Sequence, residues 1–474
     1  MGKYFGTDGV RGAANKDLTV MLAYKIGLSA SDVLIKNIDK TPAGNGASGM
    51  PRPTQDGANQ KPKIIIGKDT RISGDMFESA IAAGICAGGC NAFLCGVVPT
   101  PAIAFLVKEC GFDAGIMISA SHNHAYDNGI KIFNSQGFKL SDELEDKIEY
   151  AIDNYEEIEL KTGEFIGTVT TDDKLIDKYI NHVSDINKII DTRNNIRVLL
   201  DCANGSASKT AEKIFDGEKV SYSIINSDPN GLNINDKCGS THLDNIIKRM
   251  KLGGFDIGFA FDGDADRCLA IDETGEIIDG DKIICVLADE MKQRGRLKSN
   301  SVAVTKMSNL GLHKFCESKE INVEQTDVGD RFVLECMIEK DINIGGEQSG
   351  HIIISDYATT GDGQITAVLI LDILRRYKAE GKTASEIFGV MKSYPQVLIF
   401  VKVENDRKKD IMSDEIVLES VKKIEKLLNG NGRILLRPSG TEPLIRIMLE
   451  GENEEVITGY AKEIESVILG KLIV

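Results

Sequence analysis

Three times along this chain an apolar run of strand character ends in a polar turn containing Gly or Asn and gives way to a helix-like pattern. The runs are Ile64-Ile-Ile-Gly-Lys-Asp-Thr, Val198-Leu-Leu-Asp-Cys-Ala-Asn-Gly and Val302-Ala-Val-Thr-Lys-Met-Ser-Asn. Helical patterns at Asp75–Ala87, Leu243–Lys251, Asp281–Arg294 and Gln364–Ala379 alternate with the strands. That rhythm predicts an α/β fold of parallel or mixed sheets covered by helices. The intervals between the runs predict three related α/β domains, and 474 residues leave room for one more. From Gln396 the pattern changes to a strand (Val397–Val403), a charged helix (Asp414–Leu428), a hairpin-like pair around Leu435–Glu450 and a final helix to Val474. This predicts a small C-terminal α+β domain. The expected domains are residues 1–170, 171–274, 275–392 and 393–474.

Acidic residues outnumber basic ones, 72 to 56, and a chain with net charge -16 repels polyphosphate backbones, which argues against a nucleic-acid partner. No apolar run approaches the length of a membrane span, and the first residues lack the apolar core of a secretion signal, so a cytoplasmic protein without membrane contact is expected. The ten cysteines form no C-x-x-C pair, and several sit inside apolar runs such as Ile-Cys285-Val; neither a disulfide framework nor a zinc site is expected. The segment Thr41–Pro62 carries Pro, Gly, Asn and Gln with hardly any bulky apolar residue, and an exposed, mobile loop is expected there.

Four polar constellations interrupt the apolar runs. The first, Ser119-Ala-Ser121-His122-Asn123-His124-Ala-Tyr-Asp127-Asn128-Gly129-Ile-Lys131, follows a strand and is either a functional loop or a capped bend and hairpin turn, with the next strand expected at Ile130. Ser121 beside His122 is not read as a hydrolase pair, because neighbouring side chains usually diverge. The second is Asp262-Gly-Asp264-Ala-Asp266-Arg267, three carboxylates at alternate positions leaving a strand. That much negative charge calls for a cation, and oxygen-only ligation suits Mg2+. An EF-hand is excluded by Arg267, which stands where such a loop needs glycine, and by flanks that read as strands. The third, Gly345-Gly346-Glu347-Gln348-Ser349-Gly350-His351, pairs flexible backbone with groups that suit sugar hydroxyls, although a plain loop reads the same way. The fourth, Arg437-Pro-Ser439-Gly440-Thr441-Glu442-Pro443-Leu-Ile-Arg446, gathers two arginines, two hydroxyls and a glycine into a phosphate cradle. Together they imply a phosphosugar substrate and phosphoryl transfer.

These stretches, with Lys3-Tyr-Phe-Gly-Thr-Asp-Gly-Val-Arg11-Gly and Gly67-Lys-Asp-Thr-Arg71-Ile-Ser-Gly, resemble the α-D-phosphohexomutases over nearly the whole chain. Gln348, where the mannose and glucose mutases of the family resemble one another in having Met, points to the branch acting on glucosamine phosphates. The resemblance implies a heart-shaped molecule of four domains. It also implies interconversion of glucosamine 6-phosphate and glucosamine 1-phosphate through a phosphoserine and a 1,6-bisphosphate, supplying precursors of UDP-N-acetylglucosamine and peptidoglycan. In the family's terms Ser121 is the phosphorylated serine, and its phosphate with Asp262, Asp264 and Asp266 holds one Mg2+. Arg267, Glu347 and Ser349 face the substrate; Arg437, Ser439, Gly440, Thr441 and Arg446 hold its non-reacting phosphate; Arg11, Lys131 and His351 assist proton transfer and charge neutralisation. A hexose or hexosamine 1,6-bisphosphate is the implied activator, and a homodimer is compatible with the sequence without being required by it. The alternative is mannose or glucose phosphate mutase activity within the same family. One departure stands out: His124 occupies the place of the family's usual Pro, which adds a backbone N–H and frees a φ angle.

Overall fold

The computed structural model describes residues 2–6, 8–38, 61–187, 196–439 and 442–472. The expected loop Thr41–Pro62 lies outside these residues except for its last two positions. The described residues form two compact units, one of residues 1–307 and 323–389, the other of residues 308–322 and 390–474.

In the larger unit, the first sheet has strands β1 (Val10–Ala13), β2 (Lys63–Lys68), β3 (Asn91–Val97), β4 (Ala114–Ile118), β5 (Asp127–Asn134) and β6 (Val169–Thr171), in the order β1-β5-β4-β2-β3-β6. Strands β2, β3, β4 and β6 are parallel, and β4–β5 and β5–β1 antiparallel. Helices α1 (Val20–Ile38), α2 (Gly74–Ala87), α3 (Thr100–Cys110), α4 (Asp142–Asp153) and α5 (Leu175–Ser184) accompany it. Its core packs Ile64, Ile66, Phe77, Ile81, Ile85, Ile116 and Ile118 together. Every residue of β4 is buried, which explains its unbroken apolar sequence.

The second sheet has β7 (Arg197–Asp201), β8 (Ser221–Ile225), β9 (Ile257–Phe261), β10 (Cys268–Asp272) and β11 (Ile277–Ile278), ordered β11-β10-β9-β7-β8, with helices α6 (Ala211–Gly217) and α7 (Asp244–Lys251). The third has β12 (Ser301–Thr305), β13 (Asn322–Thr326), β14 (Ile344–Gly346) and β15 (Ile352–Ile354), ordered β13-β12-β14-β15. Helices α8 (Gly280–Gln293), α10 (Asp330–Glu339), α11 (Gly363–Ala379) and α12 (Ala384–Phe388) follow the chain there, while α9 (Leu310–Ser318), between β12 and β13 in sequence, is part of the smaller unit. One plan recurs in all three sheets: a strand of the parallel set turns back into an antiparallel neighbour, as β4 into β5, β9 into β10 and β14 into β15. Each of these turns carries one of the polar constellations.

The smaller unit has an antiparallel sheet of β16 (Gln396–Lys402), β17 (Gly432–Pro438) and β18 (Leu444–Gly451), ordered β16-β18-β17. Helices α13 (Lys408–Ser413), α14 (Glu415–Leu428) and α15 (Glu454–Leu472) complete the expected α+β pattern. Val401, Ile424, Ile445, Ile447, Ile457 and Ile464 form its core. Helix α9 belongs to this unit through Glu450, which is fully buried and accepts hydrogen bonds from Leu310 N (3.0 Å), Gln396 Nε2 (2.9 Å) and the Arg433 guanidinium.

The ten cysteines are free thiols. Among the described residues no helix is long and apolar enough to cross a membrane. One local expectation is corrected. Asp127-Asn128-Gly129 is not a hairpin turn but the opening of β5, three residues before the expected start, because Val10–Ala13 pairs with it in register Gly12↔Asn128. Gly129 serves close packing there: a Cβ on it would sit 2.5 Å from the Ser119 carbonyl oxygen.

Candidate active site

The β4–β5 turn places Ser121 with φ +50°, a left-handed backbone that non-glycine residues seldom adopt. The loop is held from several sides. Ser121 N donates to Ser119 Oγ (2.9 Å), while Asn235 Nδ2 (2.9 Å) and Arg71 Nη2 (3.0 Å) both donate to the Ser121 carbonyl. The same two side chains reach the Asn123 carbonyl, and Arg71 is paired in turn with buried Asp69. With the backbone clamped in this way the Ser121 hydroxyl faces the second sheet, where it donates to Asp262 Oδ2 at 2.6 Å.

Asp262, Asp264 and Asp266 lie on the β9–β10 turn, are all buried, and offer carboxylate oxygens within 4.8 Å of one another. The flanks are antiparallel strands, as the rejection of an EF-hand requires. Burial, followed by the neighbouring Asp266 and Asp264, holds Asp262 well above the usual carboxylate range. Burial pushes Asp266 the same way, but Lys131, His351 and Arg267 outweigh it and hold it well below that range. Thr100 Oγ1 donates to Asp264 Oδ2 (2.6 Å), and Lys131 Nζ reaches the same oxygen (3.1 Å) and Asp266 Oδ2 (3.5 Å). One oxygen of Asp264 and one of Asp266 are buried with no hydrogen-bond partner. Unsatisfied buried oxygens in a cluster of three carboxylates are what a divalent cation with hard oxygen ligands would satisfy, so these residues fit a metal site.

The cationic side of the site comes from β5 and the N-terminal stretch. Burial disfavours the Lys131 charge, yet Asp264, Asp8 and Asp266 raise its pKa above that of an ordinary lysine. Lys131 is therefore an ammonium throughout the physiological range, suited to neutralising charge rather than to taking up a proton. Arg11 pairs with Asp8, which Lys139 also contacts; Lys139 reaches Asp330 at 2.5 Å. His351 is buried with Nδ1 3.6 Å from Asp266 Oδ2 and Nε2 3.6 Å from Asp330 Oδ2. Burial works against its protonation, while Asp266 and Asp330 raise its pKa. Arg267 lies 4.0 Å from Asp266 and senses the charges of Asp262 and Glu347. Ser349 Oγ is 3.4 Å from Glu347 Oε2 in the β14–β15 turn. Ser121, the three aspartates, Arg267, Lys131, His351 and Arg11 thus form one connected network in the larger unit.

Ser121 Oγ and His122 Nδ1 are 3.3 Å apart, correcting the expectation that these neighbours diverge; the left-handed turn at Ser121 brings them together. Burial, with Arg267 and Arg11 nearby, lowers the His122 pKa from 6.5 to about 4. Folded His122 therefore stays neutral where an unfolded chain takes up a proton, and its contribution to stability is complete above pH 6.5 and lost as pH falls towards 4. His122→Gln is expected to shrink the difference in melting temperature between the two ends of that window; an unchanged difference would contradict the assigned environment.

The fourth constellation belongs to the smaller unit. Arg437 and Arg446 are cross-strand partners in the β17–β18 register, and Arg446 Nη2 reaches Ser439 Oγ (3.5 Å) and Glu442 Oε2 (2.9 Å). Burial and the like charge of Arg446 lower the Arg437 pKa. Two guanidiniums held side by side, with Arg446 Nε buried and unpartnered, suit an anion. Gly440 and Thr441 lie outside the described residues. Beneath the loop, Lys408 Nζ donates to the Ser439 (2.7 Å) and Glu442 carbonyls. Lys408→Met is expected to raise KM about tenfold with a smaller change in kcat, since a charged hydrogen bond is worth roughly 1.5–3 kcal/mol. An unchanged KM would show that the loop keeps its shape without it.

Asp8 and Arg71 lay inside recognised sequence stretches without a role attached. Thr100, Lys139, Asn235, Asp330 and Lys408 carried no signal in the sequence, because each reaches its partner across a long chain separation.

Four family models match the chain, those of phosphoglucomutase/phosphomannomutase α/β/α domains I (residues 49–159), II (177–275) and III (279–394) and of the C-terminal domain (398–467). A phosphoglucosamine mutase from Caldicellulosiruptor saccharolyticus is 48% identical over 474 residues, 100% of both chains. Among solved structures, a phosphoglucomutase/phosphomannomutase family protein from Burkholderia thailandensis superposes with a TM-score of 0.76 at 20% identity, covering 99% of this chain and 98% of its own. Aspergillus fumigatus N-acetylphosphoglucosamine mutase, solved in complex with GlcNAc-6P and magnesium, superposes with a TM-score of 0.64 at 17% identity over 98% of this chain and 95% of its own.

Proposed function

The chain belongs to the phosphoglucomutase/phosphomannomutase family, and we propose on that premise that it is an isomerase interconverting glucosamine 6-phosphate and glucosamine 1-phosphate. The observation that carries the reading is the Ser121 hydroxyl 2.6 Å from Asp262, at the edge of a buried three-aspartate cluster. Full-length identity of 48% to a phosphoglucosamine mutase supports the choice of sugar.

Ser121 as phosphoserine gives its phosphoryl group to the free hydroxyl of the substrate: the Ser Oγ–P bond breaks as the sugar O–P bond forms, and the bisphosphate then returns its other phosphoryl group to Ser121. Such transfer needs alignment and charge neutralisation more than covalent assistance. Asp262, Asp264 and Asp266 would hold Mg2+, which when bound supplies positive charge opposite the phosphoryl oxygens. Lys131 and Arg11 add fixed cationic charge, with Asp8 and Asp264 holding Lys131 in place. His351, set between Asp266 and Asp330, is positioned to hold or release a proton. Arg267, Glu347 and Ser349 would contact the sugar. Arg437, Ser439, Gly440, Thr441 and Arg446 would hold the phosphate that is not reacting. A hexose or hexosamine 1,6-bisphosphate would act as activator by phosphorylating Ser121. The domains proposed are residues 1–170, 171–274, 275–392 and 393–474, with the helix Leu310–Ser318 standing with the last of them, and the setting proposed is the cytoplasm.

The test compares kcat/KM for glucosamine 6-phosphate, mannose 1-phosphate and glucose 1-phosphate, with Mg2+ and a trace of hexose 1,6-bisphosphate. A lead of about tenfold for the glucosamine substrate, roughly 1.4 kcal/mol of transition-state discrimination, is expected. Equal or better turnover of the hexose phosphates would reassign the substrate within the family.

A further inference from the structure

The geometry points to Asp279 as a specificity-determining positioning residue, one that fixes the Gln348 amide so that its oxygen faces the substrate's 2-ammonium group. This deepens the proposed function and rests on it.

Asp279 caps α8, and its two carboxylate oxygens have separate tasks. Oδ1 accepts from Lys282 N in the first turn (3.0 Å), and Oδ2 accepts from Gln348 Nε2 (3.1 Å). An ionised carboxylate can only accept, so the Gln348 amide must present nitrogen to Asp279. Its oxygen is consequently the end turned away from Asp279. The backbone reinforces the arrangement: Gly280 N donates to the Gln348 carbonyl (3.0 Å), and a Cβ on Gly280 would lie 2.1 Å from the Glu347 carbonyl oxygen. The start of α8 is thus built directly against the Glu347–Gly350 turn, which closes on itself through Gly350 N to Glu347 O and continues into His351.

The chemistry of the competing substrates supplies the rest. Glucosamine phosphates in their protonated form carry a donor-only cation at C2, whereas glucose and mannose phosphates carry a neutral hydroxyl that both donates and accepts. A fixed amide oxygen, backed by a carboxylate charge, attracts the ammonium and gives the hydroxyl no comparable gain. An amide free to flip could turn its NH2 towards the cation and would discriminate less.

Asp279→Asn isolates this role because Asn caps helices as well as Asp does, while its own NH2 lets the Gln348 amide reverse. Asp279→Ser, another competent cap but too short to reach Gln348, is the second variant. The measurement is the ratio of kcat/KM for glucosamine 6-phosphate to that for glucose 1-phosphate. Both variants should lower the ratio about tenfold, and Asp279→Asn added to Gln348→Met should lower it no further than Gln348→Met alone. An equal fall for both substrates would overturn the proposal and leave Asp279 a helix cap only. So would a full additional loss on the Gln348→Met background. A wild type that prefers glucose 1-phosphate would instead overturn the assigned function together with this inference, so the wild-type ratio separates the two failures.

Discussion

Ser121→Ala is expected to lose interconversion by about 10⁴-fold or more even with 1,6-bisphosphate supplied, because Ser121 is the hydroxyl that the β4–β5 turn sets against the aspartate cluster to carry the phosphoryl group between the two half-reactions. The fold should survive, since the loop is held by its backbone: Arg71 and Asn235 grip the Ser121 carbonyl, and the hydroxyl makes no contact on which that grip depends. Stability separates alanine from glycine at this position. At φ +50° alanine retains the strain of a left-handed backbone that glycine avoids, so Ser121→Gly should unfold at higher denaturant than Ser121→Ala by about 1 kcal/mol. Both variants lose the hydrogen bond to Asp262 equally, and both should be inactive. Residual turnover above roughly a tenth of wild type would remove Ser121 from the mechanism altogether.

Chelation is expected to abolish turnover and Mg2+ to restore it, with a thermal shift that activity assays alone would not reveal. Three buried carboxylates within 4.8 Å of one another repel, and the raised Asp262 pKa expresses that repulsion after burial itself. A cation bound only by the folded chain stabilises it by about 2.7 kcal/mol at a hundredfold excess over Kd. The melting temperature should therefore climb with the logarithm of Mg2+ concentration in the wild type and stay flat in Asp262→Asn. A flat titration in the wild type, with turnover indifferent to chelator, would exclude a metal at the aspartate cluster.

The alternation of strands and helices was legible because each run of β2, β7, β12 and β16 is short, apolar and locally punctuated. The four polar loops stood out for the same reason, since each sits at a single reversal of the chain. Contacts between distant residues were not legible. Asp127-Asn128-Gly129 has the local signature of a turn, yet pairing with Val10–Ala13 overrides it, and buried Asn128 donates to Ser73 Oγ at 2.9 Å. The Ser121–His122 approach depends on a backbone angle that no side-chain pattern encodes. Lys408 looks like one more charge in the run Arg407-Lys408-Lys409-Asp410, and only the β17–β18 turn above it shows why that ammonium is buried.

The buried Glu450 bears on where this polypeptide can be divided. A break placed just before the C-terminal sheet would look natural on the linear sequence, but it would sever Leu310 N and Asn309 Nδ2 from a carboxylate that has no route to solvent. The isolated C-terminal piece would then hold a charge answered chiefly by Arg433 and Gln396. Stripping partners from a buried charge costs about 3–5 kcal/mol, a large share of what a module of that size has in reserve. The last quarter of the chain is therefore not a detachable cassette: its smallest self-sufficient form includes the helix Leu310–Ser318, borrowed from the middle of the polypeptide.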